Sequence, residues 1–174
     1  MRRVVLPHAS SARGPFSRSH GLSVETPGRL RGPAFHRVSR GVYDVVTAEL
    51  DHGRRIRALR ITLPPHAVLF GTSAAWVRGA RLQQPQSPVH VRLPDHERVR
   101  RRAALVVHCD ALRETDVRGT RFGPATTPAS TAFDLARSLP GREAVQWVDA
   151  LLRATGTPVV EVAAVAEQRP GVRG

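Results

Sequence analysis

Residues 35–46, FHRVSRGVYDVV, decide the fold of the first part of this chain. Valines and aromatic residues fill both halves of the segment, and Ser39, Arg40 and Gly41 separate the two halves. Strand-forming residues on both sides of a polar turn that contains glycine are typical of two paired strands. The segment therefore predicts a small β-hairpin.

A short helix is predicted just before this hairpin, over residues 26–31. Thr26 can serve as its N-cap, Pro27 suits its first position, and Gly32-Pro33 ends it. Residues 1–20 are basic, contain serine and lack acidic side chains. We expect them to form a disordered basic tail.

After the hairpin, residues 51–63 place Ile56, Leu59 and Leu63 on one helical face, which favours a helix over a strand. Pro64-Pro65 ends that helix. The stretch GTSAA at 71–75 resembles a nucleophile elbow only superficially, because it lacks the G-x-S-x-G pattern. Thr72 or Ser73 is instead expected to cap a second helix.

Two strands are predicted in the middle of the chain, after a loop at 83–88. PVHVRLP at 88–94 alternates, which points its valines and Leu93 inward and His90 and Arg92 outward. ALVVHC at 104–109 is continuously apolar and predicts a more buried strand paired with the first. Residues 116–127 are expected to form a further irregular strand and turn.

Three helices are predicted to close the chain. They run from Thr127-Pro128 to about Ser138, from Arg142 to about Ala154, and from Thr157-Pro158 to about Arg169. The fold class is therefore α+β, with a small, mostly antiparallel sheet and a helical C-terminal half.

The charge of the chain is strongly positive. Its 27 basic residues are all arginine and face only 14 acidic residues, a net charge of +13. Without lysine, P-loop, Schiff-base and kinase chemistry is excluded. Codon usage in a GC-rich genome explains arginine in place of lysine but leaves the excess of bases unexplained. The excess favours a polyanionic partner, most simply nucleic acid.

Side chains that could carry catalysis are scattered in the sequence. Cys109 is expected to be a buried structural thiol, and His90 and His108 can lie on neighbouring strands without a complete ligand set for zinc. The carboxylates between 110 and 116 fall in a turn, and Asp134 is expected to be a buried hydrogen-bonding residue. We therefore expect a non-catalytic chain without metal or cofactor.

Several segments together resemble a large actinobacterial family of AbiEi-antitoxin-like proteins. They are GLSVETPGRLRGPAFHRVSRGVYDV, PPHAVLFGTSAAWVRGA, VHVRLPD, LVVHCDAL, TTPASTAFDLARSLP, AVQWVDALL and RPGVRG, in the family's order over residues 16–174. The resemblance implies a winged-helix-like segment followed by an antitoxin-type domain. Many members continue into a nuclease domain similar to very-short-patch-repair endonucleases, which is not expected here because the sequence stops at Gly174.

The resemblance also divides the chain. It implies a tail at 1–20, a partial winged-helix-like segment at 21–50 and an antitoxin-like α+β domain at 51–174. By position, Gly41, Val42 and Tyr43 shape the wing and do not read bases. Two departures are the shortness of the first segment and Ser130-Thr131, where the family usually has Arg-Thr.

Three functions follow as hypotheses. The first is a non-catalytic, DNA-binding, type IV antitoxin-like transcriptional regulator in the cytoplasm, with double-stranded DNA and a cognate toxin or nuclease domain as partners and no membrane. The second is the regulatory or specificity portion of a very-short-patch-repair-like endonuclease whose catalytic domain is lost, truncated or encoded next door. The third is a module that binds an acidic protein. The residues expected to contact nucleic acid are arginines in two groups, Arg29, Arg31, Arg37 and Arg40, and Arg98, Arg100, Arg101 and Arg102.

Overall fold

The computed structural model describes residues 14–46, 49, 51–94, 99, 103–109 and 112–169. The chain divides into two compact units, residues 1–64 and 65–174. The sequence prediction divides the chain after residues 20 and 50. In the structure, residues 16–20 and the helix after residue 51 are both part of the first unit. The fold class is α+β, as predicted.

In its described residues, the first unit contains three strands and three helices. In chain order they are β1 (Phe16–Ser17), α1 (Arg18–Val24), α2 (Pro27–Leu30), β2 (Phe35–Ser39), β3 (Val42–Val45) and α3 (His52–Arg60). The strands form an antiparallel sheet in the order β1-β3-β2. The predicted hairpin is thus β2–β3, and β1 is added along the free edge of β3.

An aromatic cluster holds the first unit together. Phe16, Leu30, Phe35 and Val45 are each at most 6% exposed and contact one another. The rings of Phe16 and Phe35 meet edge to face with centroids 5.6 Å apart. The helix predicted over 51–63 is α3, which begins at its N-cap Asp51 and buries Ile56 and Leu59.

The described part of the second unit combines a mixed sheet with four α-helices. Its elements are β4 (Val68–Leu69), α4 (Gly71–Val77), β5 (Val89–Arg92), β6 (Leu105–His108), β7 (Val117–Thr120), β8 (Gly123–Thr126), α5 (Pro128–Ser138), α6 (Gly141–Thr155) and α7 (Val159–Glu167). The strand order is β6-β5-β4-β8-β7. The pairs β4–β8 and β5–β6 are parallel, and β4–β5 and β7–β8 are antiparallel.

The core of the helical half forms where α4, α5 and α6 meet. Ala75, Leu135, Trp147 and Leu151 are at most 5% exposed there. The first and second predicted helices match α5 and α6 in extent, and α5 begins as expected with Thr127 as N-cap and Pro128 in its first turn. The third predicted helix is α7, which packs on α5 yet contains no fully buried residue. Within the described ranges, no helix has the length and apolar composition that crossing a bilayer requires.

Some local predictions for the second unit are wrong. Arg92 is 4% exposed instead of facing outward, because both faces of the sheet are covered there. β6 is half-buried because it lies at the edge of the sheet, and Cys109, which follows it, is exposed. The cap of α4 is Phe70, and the Ser73 hydroxyl accepts a hydrogen bond from the His90 N–H instead (2.9 Å).

Candidate nucleic-acid interface

Two short helices precede the hairpin of the first unit. Ser17 caps α1 by accepting a hydrogen bond from the His20 N–H (3.1 Å). Only Glu25 and Thr26 separate α1 from α2, and four residues separate α2 from the β2–β3 hairpin.

The second helix, α2, is anchored at both ends. The Thr26 hydroxyl accepts a hydrogen bond from the Arg29 N–H (3.3 Å), which confirms Thr26 as the N-cap. Leu30 is 3% exposed and packs against Gly21 of α1. A Cβ on Gly21 would lie 2.7 Å from Phe16 Cε2 and 3.1 Å from Leu30, so only glycine lets α1 approach this closely.

The hairpin turn is fixed by backbone geometry. Gly41 has φ +79°, a left-handed conformation that glycine adopts without strain. Val42 is fully buried, and the Tyr43 ring stacks on Phe16, which fits their expected structural role. The Gly41 carbonyl also accepts a hydrogen bond from the Arg18 N–H (2.7 Å), which ties the start of α1 to the hairpin turn.

The first predicted arginine group lies on α2 and the hairpin. Arg29 is in α2, where its side chain is 45% exposed and 3.1 Å from the buried Glu25 carboxylate. Arg31 follows α2 and is exposed. Arg37 on β2 is exposed and its Nε donates to the Ser39 carbonyl (3.2 Å), and Arg40 lies exposed in the turn.

The second predicted group, Arg98, Arg100, Arg101 and Arg102, lies outside the described residues. Arg18 is a candidate that the sequence reasoning missed, because residues 1–20 are assigned to a tail. It is exposed, and its backbone joins the hairpin turn. The signal for it is Ser17 placed three residues before His20, which is a helix-capping spacing.

A buried ion pair connects the hairpin to α3. Arg54 donates to both carboxylate oxygens of Asp44, at 2.5 and 2.6 Å, and Asp44 is fully buried. The Asp44 carboxylate also accepts from the Val45 N–H (2.8 Å). The hydrogen bonds to Asp44 outweigh burial and raise the pKa of the Arg54 guanidinium. This arginine serves the fold and is not available to a ligand.

Two carboxylates of the second unit, Asp116 and Asp134, bind the same arginine. Arg169, beyond the end of α7, donates to Asp116 (2.7 Å) and Asp134 (3.4 Å), and the Ser130 hydroxyl donates to Asp116 (2.7 Å). Burial opposes ionisation of Asp116, but the bonds from Ser130 and Arg169 outweigh it and lower its pKa. Burial raises the pKa of Asp134, in spite of Arg92 and the other nearby arginines.

This cluster confirms Asp134 as a buried residue, 2% exposed. Its hydrogen bonds are made to other residues of the fold, which is the structural role expected for it. Sequence reasoning missed Arg169, whose only signal is its place in the RPGVRG stretch that the family resemblance includes.

The two strand histidines do lie side by side, as predicted. His90 Nδ1 and His108 Nε2 are 3.2 Å apart on the paired strands β5 and β6. Burial, and to a lesser extent His108, lowers the pKa of His90 to about 4. Among the described residues, no group of three or more histidine, cysteine or acidic side chains is arranged to hold a metal ion.

Comparisons with known proteins agree with this architecture. The fold is similar to that of the RV2827C protein from Mycobacterium tuberculosis, with a TM-score of 0.62 and 16% sequence identity over 90% of this chain and 67% of that chain. No protein of curated function matches the sequence. Residues 66–173 match the AbiEi antitoxin C-terminal domain, which covers more than half of the sequence. The chain therefore belongs to the AbiEi antitoxin family.

Proposed function

We propose that this chain is a non-catalytic antitoxin that regulates transcription by binding duplex DNA through its first unit. The observation that carries the proposal is the placement of Arg29, Arg31, Arg37 and Arg40 on α2 and the adjoining hairpin. A winged-helix-like module uses these two elements, the second helix in the groove and the hairpin as a wing along the backbone.

The charge of the first unit supports this proposal. Residues 14–64 contain nine arginines and four acidic residues. Two of those acids, Glu25 and Asp44, are buried beside arginine, so they leave the outer surface positive. Guanidinium groups bind phosphate oxygens in a bidentate manner and also reach guanine edges in the major groove. The four arginines differ, however, because Arg29 already has a carboxylate partner. We assign the stronger DNA contacts to the hairpin arginines.

Family membership supports the regulatory part of the proposal. A toxin–antitoxin role predicts a cognate toxin as a second partner, which we assign to the second unit because the matched domain lies there. Co-expression with the product of a neighbouring toxin gene, followed by purification of an intact complex, tests that assignment. The second arginine group, Arg98, Arg100, Arg101 and Arg102, remains a proposed source of sequence-independent phosphate contacts.

The decisive experiment is a salt titration of duplex binding by fluorescence anisotropy. For the wild type, affinity should fall steeply between 50 and 200 mM salt, because each phosphate contact releases a counterion. Arg37→Ala and Arg40→Ala should each weaken binding about eightfold near 0.1 M salt and reduce the slope by roughly 0.9. Arg153→Ala is the matched control, since Arg153 is exposed but paired with Asp149 on α6. A wild-type affinity that does not change with salt contradicts the proposal.

A further inference from the structure

We propose that the second unit carries its own phosphate-binding surface, where α4 meets the β7–β8 hairpin, and that its ligand is the backbone of nucleic acid. We call it the arginine–aromatic surface. It consists of two rings and four arginines: Trp76, Phe122, Arg78, Arg81, Arg118 and Arg121. The inference rests on the duplex binding proposed above and adds to it contacts from a different part of the chain.

Two buried rings form the base of this surface. Trp76 comes from the last turn of α4 and Phe122 from the turn between β7 and β8. The rings meet edge to face, with centroids 5.7 Å apart and planes inclined by 70°. Each residue is 5% exposed, so the pair is a fixed platform that belongs to the core on one side.

Each ring carries an exposed arginine. The guanidinium carbon of Arg81 lies 4.9 Å from the Trp76 ring centre, and that of Arg121 lies 4.9 Å from the Phe122 ring centre. Stacking on a ring restrains a guanidinium without neutralising its charge, and it leaves N–H donors at the rim of the group. Among the described residues, neither arginine forms an ion pair with a carboxylate.

A second pair of arginines lies beside this platform. Arg78 Nε donates to the Thr126 carbonyl (2.6 Å), and a terminal nitrogen of Arg78 donates to the Ala125 carbonyl (3.3 Å). Arg118 is the cross-strand partner of Ala125, so its charge lies close to that of Arg78. Burial, and then the charge of Arg118, lowers the pKa of Arg78. Like charges held this close favour binding of an anion, which relieves their repulsion.

Few described acids of the second unit lie near this surface. Glu114 is in the turn directly before β7, Asp116 and Asp134 are bound to Arg169, and the carboxylates of α6 and α7 lie on other elements. Among the described residues, none of the four arginines of the surface forms an ion pair with a carboxylate, and the second unit as a whole has 15 arginines and 10 acidic residues. The surface was not among the sequence predictions, because its arginines are far apart in the sequence.

The chemistry of the charges favours nucleic acid over an acidic protein. The guanidiniums of Arg81 and Arg121 stack on rings and keep N–H donors at their rims, which suit phosphate oxygens. The net charge of +13 indicates a polyanionic partner. A nucleic-acid backbone offers a regular row of phosphates, which a folded acidic protein does not.

The test compares two double variants of the full chain with the same net charge. Arg81→Gln/Arg121→Gln removes the stacked cations, and Arg142→Gln/Arg153→Gln removes two exposed cations from α6. Both are titrated with salt against a 20-base-pair duplex of arbitrary sequence. We expect the first variant to lose about eightfold in affinity per contact near 0.1 M salt and to reduce the slope by roughly 0.9 per contact. The α6 variant should change both quantities much less.

Other results overturn the inference in distinct ways. Equal losses in the two double variants would show a general charge effect, and no loss in the first variant would show that the surface is not used. If Arg81→Gln/Arg121→Gln binds polyglutamate more weakly than the wild type but binds the duplex equally well, the surface belongs to an acidic protein partner. If the wild type shows no salt-dependent duplex binding, the proposed function itself fails.

Folding is controlled separately. Circular dichroism and the unfolding midpoint should match the wild type for each variant. Should the double variant be destabilised, Arg121→Gln alone carries the test, because Arg121 lies exposed in a turn. Arg81→Lys/Arg121→Lys keeps the charge but not the planar group, and should retain most of the salt slope.

Discussion

Each unit of this protein has buried carboxylates that bind arginine. The two units differ in how many carboxylates bind the same arginine. In the first unit, Asp44 binds one arginine through two hydrogen bonds of 2.5 and 2.6 Å. In the second unit, Asp116 and Asp134 share Arg169. One oxygen of Asp134, Oδ2, has no hydrogen-bond partner within the described part of the chain.

The comparison shows where the excess charge of the chain can act. A closed pair such as Asp44–Arg54 neutralises its own arginine, whereas Arg31, Arg37 and Arg40 of the same unit are exposed. In the shared cluster, burial instead raises the pKa of the Asp134 carboxyl. The first arrangement is a pair of two groups, whereas in the second arrangement two carboxylates depend on one arginine.

Breaking the closed pair should have the largest effect. Asp44→Ala leaves the Arg54 charge partly buried without its partner, and should lower the free energy of unfolding by about 3–5 kcal/mol. Hydrogen exchange of the amides at 35–60 measures the loss. Asp149→Ala breaks the exposed Asp149–Arg153 pair on α6 and should cost less than about 0.5 kcal/mol. Similar costs for the two variants would show that burial of Asp44 is unimportant.

Breaking the shared cluster should cost less. Arg169→Met removes the donor to Asp116 and Asp134, with an expected loss of about 1–3 kcal/mol in denaturant unfolding followed by Trp147 fluorescence. The loss is limited because Asp116 keeps its hydrogen bond from the Ser130 hydroxyl. In the wild type the stabilising effect of Asp116 is present above pH 3.8 and is lost as pH falls through its lowered pKa. Arg169→Met should lose the stabilising effect of Asp116 at a higher pH than the wild type. If NMR shows the same carboxyl pKa values in the variant and the wild type, Arg169 does not lower the pKa of Asp116.

A histidine gives the second unit a pH dependence in a different window. His90 has a pKa of about 4 in the folded chain and an ordinary value of 6.5, so the unfolded chain binds more protons between these values. Stability should therefore be complete above pH 6.5 and fall as pH drops toward 4, by at most about 1.4 kcal/mol per pH unit. His90→Gln should flatten this part of the curve. His108→Gln removes only the smaller cause of the lowered His90 pKa, because burial remains. Stability of this variant should still fall with pH, but over a narrower pH range.

The smallest expected effect concerns the cap of α2. Thr26→Ala removes the hydroxyl that accepts from the Arg29 N–H and should cost about 1 kcal/mol, mostly as faster exchange of the α2 amides. Thr26→Ser keeps the hydroxyl and should behave like the wild type. If both variants behave alike, the cap does not hold the helix, and α2 depends on Leu30 alone.

Local signals account for the parts of the fold that sequence reasoning predicted. Thr26-Pro27 and Thr127-Pro128 start α2 and α5 where expected, because a cap and a fixed φ act within one helical turn. Gly41 sits at a left-handed position in the hairpin turn for the same local reason. The arginines of the first predicted group could be chosen for the same reason, since they are close in sequence to these elements, and their contact with nucleic acid stays a prediction.

Only the tertiary structure decided which distant residues meet. Parallel pairing of β5 with β6, the edge position of β6 and the burial of Arg92 depend on strand order, which short-range pattern does not encode. Residues 16–17 become a strand because β3 offers them an edge. The sequence by itself determined most of the helices, but not α1, together with the hairpin and the excess of arginine. Long-range packing decided which arginines are bound to carboxylates and which remain exposed to a ligand, because ion pairing requires proximity in space and burial.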